Sequence, residues 1–318
     1  MANTLLEIVD AQFGFCHERI PGKGEDSWCY SLNERACLLG VFDGCGGLGA
    51  ATYEKLGSHT GAFLASRASA AGAMAWFDAY CDGGLRDSQA LKRHLQSALS
   101  VCVDTADAPP SALKGSMVRL MPTTLALWLV EREAKGLTAT SYSAGDSRTY
   151  LLDALGLAQV SVDDIANEDA MSNLYHDAAM TNVVSADGHY TIAAARHRLS
   201  VPCVLISATD GCFGYFRSPM EFEYLLLDTL HRSNSIDGWS DALEAIIGET
   251  AGDDQTLAAV VIGYGSHEQL KRAMLPRWRA LEAMVASFGD SFDARQAAWE
   301  QYSSAYYRLA KGRGASGD

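Results

Sequence analysis

"LLGVFDGCGGLGAATYEKLG", residues 38–57, is the stretch on which the fold turns. An apolar run ends at Asp43, and Gly44, Gly46 and Gly49 then stand at the G-x-G-x-x-G spacing of a dinucleotide-binding turn, ahead of a helix-like segment. The surroundings argue against that reading. Asp43 would set a carboxylate against the diphosphate, and "FLASRASAAG" (63–72) supplies neither the second strand nor the acidic residue that such a unit needs about 20 positions on.

The same arrangement, an apolar run closed by Asp, recurs along the chain in "SYSAGDSR" (Asp146) and "VLISATDGC" (Asp210). "GEDSWCYS" opens a run with Glu25 and Asp26, and Asp253–Asp254 precede "TLAAVVI". Singly, each reads as a turn, because Asp-Gly is a favoured hairpin dipeptide and Asp closes strands. Together, carboxylates at five strand ends surround one polar hollow if the strands share a sheet, and such a cluster is costly unless cations occupy it. Oxygen ligands of this kind suit Mg2+ or Mn2+ rather than zinc.

Alternating or apolar runs predict strands at 26–31, 36–42, 123–131, 137–144, 147–152, 190–195, 202–208 and 256–263. Two or three helices are expected between the second and third of these, with others at 219–231 and 237–249. Strands, helices, strands, helices and a strand do not alternate as a doubly wound parallel sheet requires. After Gly265 two helix-length segments carry apolar stripes, Leu270, Met274, Trp278, Leu281 and Met284 in one, Trp299, Tyr302, Tyr306 and Leu309 in the other. They are expected to form an appended helical hairpin that packs on the chain's own domain, so the expected division is 1–265 and 266–318.

The chain has 318 residues, 48% of them hydrophobic, enough for a substantial core. Its formal charge of -14 disfavours a nucleic-acid partner. The eight cysteines form no CxxC pair and fall mostly in apolar runs, which predicts buried reduced thiols rather than a zinc site or a secreted disulfide framework. No basic leader and no apolar run of membrane-spanning length stand in the sequence, so the expectation is a cytoplasmic chain with no membrane partner. Cys29 and Arg35 match C-x5-R, but Leu32 and Glu34 stand where a phosphate cradle needs bare amides, and His94 and His176 have no ligand partner at helical spacing.

"GEDSW", "VFDGCGG", "PTTLALWLV" followed by "SAGDSRTYLL", "VLISATDG" and "GDDQTLAAVVI", in this order over residues 10 to 264, resemble the motifs of the metal-dependent protein phosphatases, the PPM or type 2C family, in its bacterial form. The resemblance implies an α+β fold, an αββα sandwich of two antiparallel sheets flanked by helices. It implies hydrolysis of phosphoserine or phosphothreonine in protein substrates, with a signalling role opposite a protein kinase, by water activated at two Mn2+ or Mg2+ ions. On it, Asp43 bridges both metals, Gly44 offers its carbonyl, Asp210 and Asp253 complete one shell, and Glu25 and Asp26 serve the other through water. Asp43 and Asp210 are thus the catalytic carboxylates, and Asp146 with Asp210 matches the position of a third ion. Residues 161–198 fall where the family carries a flap beside its active site, the expected determinant of which phosphoprotein binds.

Four positions depart from the pattern. Cys45 replaces the His that protonates the leaving group, and Asp254 replaces an Asn. The phosphate-clamping Arg falls at Pro21, with Arg19 or Lys23 as substitutes, and Pro122-Thr123-Thr124 stands for the usual Gly-Thr-Thr as a backbone variation. Cys45 and the displaced Arg leave an alternative, a phosphoprotein-binding scaffold of little or no activity on the same fold.

Overall fold

A computed structural model describes residues 4–106, 119–134, 136–165, 169–175 and 179–310. In chain order it contains β1 (Val9–His17), β2 (Ser27–Leu32), β3 (Ala36–Phe42), β4 (Thr52–Tyr53), β5 (His59–Thr60), α1 (Gly61–Cys81) and α2 (Ser88–Ala106). There follow β6 (Leu125–Glu133), β7 (Gly136–Ala144), β8 (Arg148–Asp153), β9 (Gly156–Gln159), β10 (Ala193–Leu199), β11 (Cys203–Ala208) and the short α3 (Asp210–Phe213). The chain continues through α4 (Pro219–Arg232), α5 (Ile236–Thr250), β12 (Gln255–Ile262), α6 (His267–Ala286) and α7 (Phe292–Tyr306).

Two five-stranded antiparallel sheets, ordered β1-β12-β11-β8-β9 and β10-β7-β6-β3-β2, pack face to face. The period-2 alternation of side chains divides each central strand between two apolar layers. In β3, Cys37, Leu39 and Val41 face the opposite sheet, whereas Leu38 and Phe42 join Trp76, Leu91 and Leu95 of α1 and α2. In β12, Ala258, Val260 and Ile262 fill the space between the sheets, and Leu257, Ala259 and Val261 pack with α4 and α5. Trp128 ties the layers together, its indole N–H donating to the Ile206 carbonyl across the sandwich at 3.1 Å. The result is the expected α+β, αββα architecture.

Departures from expectation have local causes. Residues 52–60 form a small hairpin (β4–β5) rather than helix, reversed at Gly57 and Ser58, both with positive φ. The first helix therefore begins at Gly61, not at the glycine turn. β1 had not been expected, because Asp10, Gln12 and Gly14 interrupt its apolar positions and only Phe13 and Phe15 reach the core. β10 starts three residues later than expected. Cys29 lies buried within β2, and Asn33 Oδ1 closes the β2–β3 turn by accepting the Arg35 and Ala36 N–H groups, so C-x5-R is a hairpin here. Every cysteine is free. His94 bonds its own helix at the Ala90 carbonyl; His176 lies outside the described residues.

The stripes of α6 and α7 are buried on this chain. Leu270, Met274, Leu281, Trp299, Tyr302 and Tyr306 belong to the same core as Phe13, Tyr150 and Leu226. Glu223 of α4, fully buried, accepts from Arg277 of α6 at 2.7 and 2.8 Å and from the Tyr302 hydroxyl of α7, so the hairpin is latched to α4 by a satisfied ion pair. No helix among the described residues is long and apolar enough to cross a membrane.

Candidate metal centre

Four carboxylates meet at one end of the sandwich because strands of both sheets finish there. Asp43 follows β3, Asp146 stands in the β7–β8 turn, Asp210 follows β11, and Asp26 immediately precedes β2. Asp43 is fixed through its backbone: its N–H donates to Thr124 Oγ1 at 3.1 Å, and its carbonyl accepts from Thr124 N (2.8 Å) and Thr123 Oγ1 (2.7 Å). The Pro122 carbonyl accepts the Cys45 N–H at 3.1 Å, and Thr124 Oγ1 bonds Ser147 Oγ at 2.6 Å. Pro122–Thr124 thus splices the Asp43 turn to the Asp146 turn. Gly44 is obligatory in this packing, since a Cβ would lie 2.6 Å from the Ala62 carbonyl oxygen and 2.7 Å from that of Glu25.

Asp26 is buried and accepts the Thr209 hydroxyl at 2.9 Å, and Thr209 Oγ1 also takes the Thr256 N–H, so β2, β11 and β12 are joined at the base of the cluster. Burial, then the Asp210 and Asp254 charges, pushes Asp26 up to about 7. Asp146 is pushed up to about 8 by burial and by Asp210 and Asp163. Asp43 rises well above the carboxylate range through burial and the charges of Asp26, Asp210 and Asp146, with the Asp210 side chain in hydrogen-bonding reach. A protein without a counter-ion holds such a cluster only by keeping protons on it.

Around it stand the remaining candidates. Glu25 accepts from the Thr60 hydroxyl, and Asp253 at the rim faces Asp210. Asp254 accepts the Arg19 N–H on Oδ1 (2.9 Å) and the Glu25 N–H on Oδ2 (2.8 Å), so its carboxylate anchors the approach to β2. Arg19 and Lys23 are both exposed, and Arg19 turns its guanidinium to the Gly252 carbonyl, beside Asp253. Cys45 is buried, its thiol donating weakly to the Asp43 carbonyl at 3.8 Å, and burial followed by the neighbouring aspartates drives it well above the usual thiol range. It is a neutral thiol.

Sequence reasoning missed Arg67. This is the one charge in residues 61–77, the otherwise neutral bulk of α1, and that isolation is the signal the sequence offers. Half-buried over the Phe63 ring at 3.5 Å, it donates to the Gly24 carbonyl at 3.1 Å and feels the charges of Asp26 and Asp254. Arg148 of the "GDSR" turn is buried and neutralised by Asp163, with Nη2–Oδ2 at 2.6 Å, and lies over Phe213 at 4.1 Å.

A cleft of about 430 Å3 opens beside the cluster. Asp146 and Asp210 form one wall, Asn173, Leu174 and Tyr175 from the 161–198 segment another, with Phe213 and Tyr215 between. Among the described residues no three His, Cys, Asp or Glu side chains are drawn together tightly enough to hold an ion as they stand. Their chemistry nonetheless fits a hard divalent cation: oxygen donors only, mutually repelling, with the nearest thiol protonated.

The sandwich is similar to those of solved bacterial serine/threonine phosphatases. Phosphatase Stp1 from Staphylococcus aureus matches with TM-score 0.60 at 18% identity, covering 82% of this chain and 97% of that one. PstP/Ppp from Mycobacterium tuberculosis matches with TM-score 0.56 at 17% identity over 79% and 98%. The catalytic domain of PstP, solved in complex with two manganese ions, matches with TM-score 0.50 at 15% identity over 80% and 99%. No protein-family model and no curated protein sequence matches the chain.

Proposed function

We propose that this chain is a divalent-cation-dependent phosphatase of phosphoserine and phosphothreonine in proteins. The observation that carries the reading is the convergence of Asp26, Asp43, Asp146 and Asp210 from both sheets beside an open cleft that Asp146 and Asp210 line, with burial and mutual repulsion raising Asp26, Asp43 and Asp146 in a way that protons or cations relieve. Asp43, Asp210 and Asp253, with the Gly44 carbonyl, would hold one pair of Mn2+ or Mg2+ ions, Glu25 and Asp26 supporting through water; Asp146 with Asp210 would take a third. When bound, such ions polarise a phosphoryl group and supply hydroxide at neutral pH.

The chain's own residues orient and exclude. Thr123 and Thr124 hold Asp43 on its turn, Thr209 holds Asp26, and Asp254 holds the Glu25 backbone. Arg19 and Arg67 flank the cluster and are the cations best placed to clamp a phosphate, Arg19 beside Asp253 and Arg67 within reach of the Asp26 and Asp254 charges; Lys23 is a third candidate. The leaving serine oxygen takes a proton on departure, and a neutral buried thiol at Cys45 is a poor source of it. That favours slow turnover on alkyl phosphates, and it is the observation behind a second reading, a phosphoprotein-binding scaffold.

Protein stripped with EDTA, reloaded with Mn2+ and assayed on p-nitrophenyl phosphate separates the two. Turnover restored by metal and abolished by Asp43→Asn or Asp210→Asn, with the fold intact, is expected. A chain inert under every divalent ion would leave the scaffold.

A further inference from the structure

We infer that the α6–α7 hairpin positions one wall of the cleft and so governs how protein substrates bind; this rests on the phosphatase reading above. The wall formed by Asn173, Leu174 and Tyr175 is a single turn of 3-10 helix, Ser172–Leu174, with little structure of its own. Its foot is held by α7 and the residues after it. Asp169 Oδ2 accepts the indole N–H of Trp299 at 3.0 Å, while Oδ1 caps the turn at the Ser172 N–H, 2.8 Å away. One residue on, the Ala170 N–H donates to the Tyr307 hydroxyl at 2.6 Å. Ala170 and Met171 are each 1% exposed, sealed into the core that contains Trp299, Tyr302 and Tyr306.

The far end is held too. Tyr175 packs edge-on against Phe292 at the start of α7, centroids 5.2 Å apart, and its hydroxyl donates to the Arg217 carbonyl at 2.7 Å. Arg217 in turn pairs with Asp290 of the α6–α7 loop at 2.9 Å. Both ends of the wall therefore hang on the C-terminal hairpin, whereas the carboxylates opposite are fixed by β3, β8, β11 and Pro122–Thr124. The two walls meet where Asp164 bonds the Gly145 backbone beside Asp146, but the 169–175 turn itself is held by the hairpin. Loosening the brace moves the wall that a bulky substrate must touch and leaves the carboxylates in place, so Trp299 and Tyr307 are positioning residues for substrate size and shape rather than for chemistry.

The test compares the full chain with the Trp299→Phe/Tyr307→Phe double variant, which removes the two hydrogen bonds and keeps an aromatic ring at each position, the indole of residue 299 shrinking to a phenyl. With Mn2+ present, KM for phosphorylated casein should rise about tenfold with kcat within about twofold, as expected for two bonds lost from a positioning contact, while p-nitrophenyl phosphate constants stay within about twofold. Amide exchange should quicken over residues 169–175 and stay unchanged in β3 and β11. Equal losses on both substrates, or amide exchange that quickens in β3 and β11 as much as over 169–175, would reduce the hairpin to general scaffold and overturn the inference. Unchanged exchange at 169–175 would overturn it as well. A wild-type chain inactive on both substrates would sink the phosphatase reading instead; the exchange result alone would then decide whether the brace exists.

Discussion

Asp254 offers both carboxylate oxygens to main-chain N–H groups, one to Arg19 and one to Glu25. An Asn there has a single oxygen, so its amide would set a donor against one of those donors. Removing the charge also relieves repulsion on Glu25 and Asp26, both of which Asp254 pushes upward. The two effects oppose, and the bound ions decide between them. With Mn2+ neutralising the cluster, Asp254→Asn is expected to destabilise by about 1 kcal/mol, the worth of one hydrogen bond, and in EDTA by less. Urea midpoints in the two buffers measure this; a variant more stable than wild type with Mn2+ present would disprove the anchoring role. Cys45 supports a second residue-scale expectation. Its thiol is held neutral and donates only a weak bond to the Asp43 carbonyl, so it is not poised as a nucleophile. Cys45→Ala should retain turnover on p-nitrophenyl phosphate within about threefold, and iodoacetamide should not inactivate the native wild-type protein. Loss of activity on alkylation or truncation would place the thiol in the reaction.

The Pro122–Thr124 segment carries more of the site than its sequence suggests. Without Thr124 Oγ1 the Asp43 N–H faces a buried hydrocarbon and the link to Ser147 is gone. Thr124→Val, nearly isosteric, should cost about 1–3 kcal/mol through that orphaned donor and raise the Mn2+ concentration needed for half-maximal activity. Thermal melts and a metal titration test it, and an unchanged metal requirement would mean that Asp43 is held by β3 alone. This role was not legible beforehand, because it exists only where residue 43 meets residue 124, whereas a carboxylate ending an apolar run is visible in the run itself. β3 and β12 were readable for the same reason: buried on both faces, they are unbroken apolar stretches. β1 was not, since as an edge strand it needs only Phe13 and Phe15 inside. "AATYEKLG" has helix-forming residues, and the Gly57–Ser58 reversal overrode them. Arg67 contacts Gly24 across 43 positions, beyond the reach of any local pattern.

At the scale of the whole molecule, the acidic end and the core pull against each other. Asp26 and Asp146 are pushed up to about 7 and about 8 in the folded chain, and Asp43 is raised in the same direction, against an ordinary value of about 4 when unfolded. Folded pKa values above unfolded ones mean that the native state binds more protons between those limits. The stability these groups contribute is then complete below the unfolded value and lost as pH rises through the folded ones. Metal-free protein should therefore melt at progressively lower temperature from about pH 5 to about pH 8, opposite to the usual behaviour of salt-bridged carboxylates. Divalent ions compete with those protons, bind better as pH rises, and stabilise only the folded state, so the increment in melting temperature given by about 1 mM Mn2+ should grow over the same interval. Asp146→Asn removes one titrating member and should flatten the metal-free slope. Scanning fluorimetry across the pH range with EDTA and with Mn2+ measures all three. A metal-free melting temperature that is flat or rises toward pH 8 would show that the four carboxylates do not share one enclosure, and the cation-dependent reading would lose its physical basis even though the fold stood unchanged.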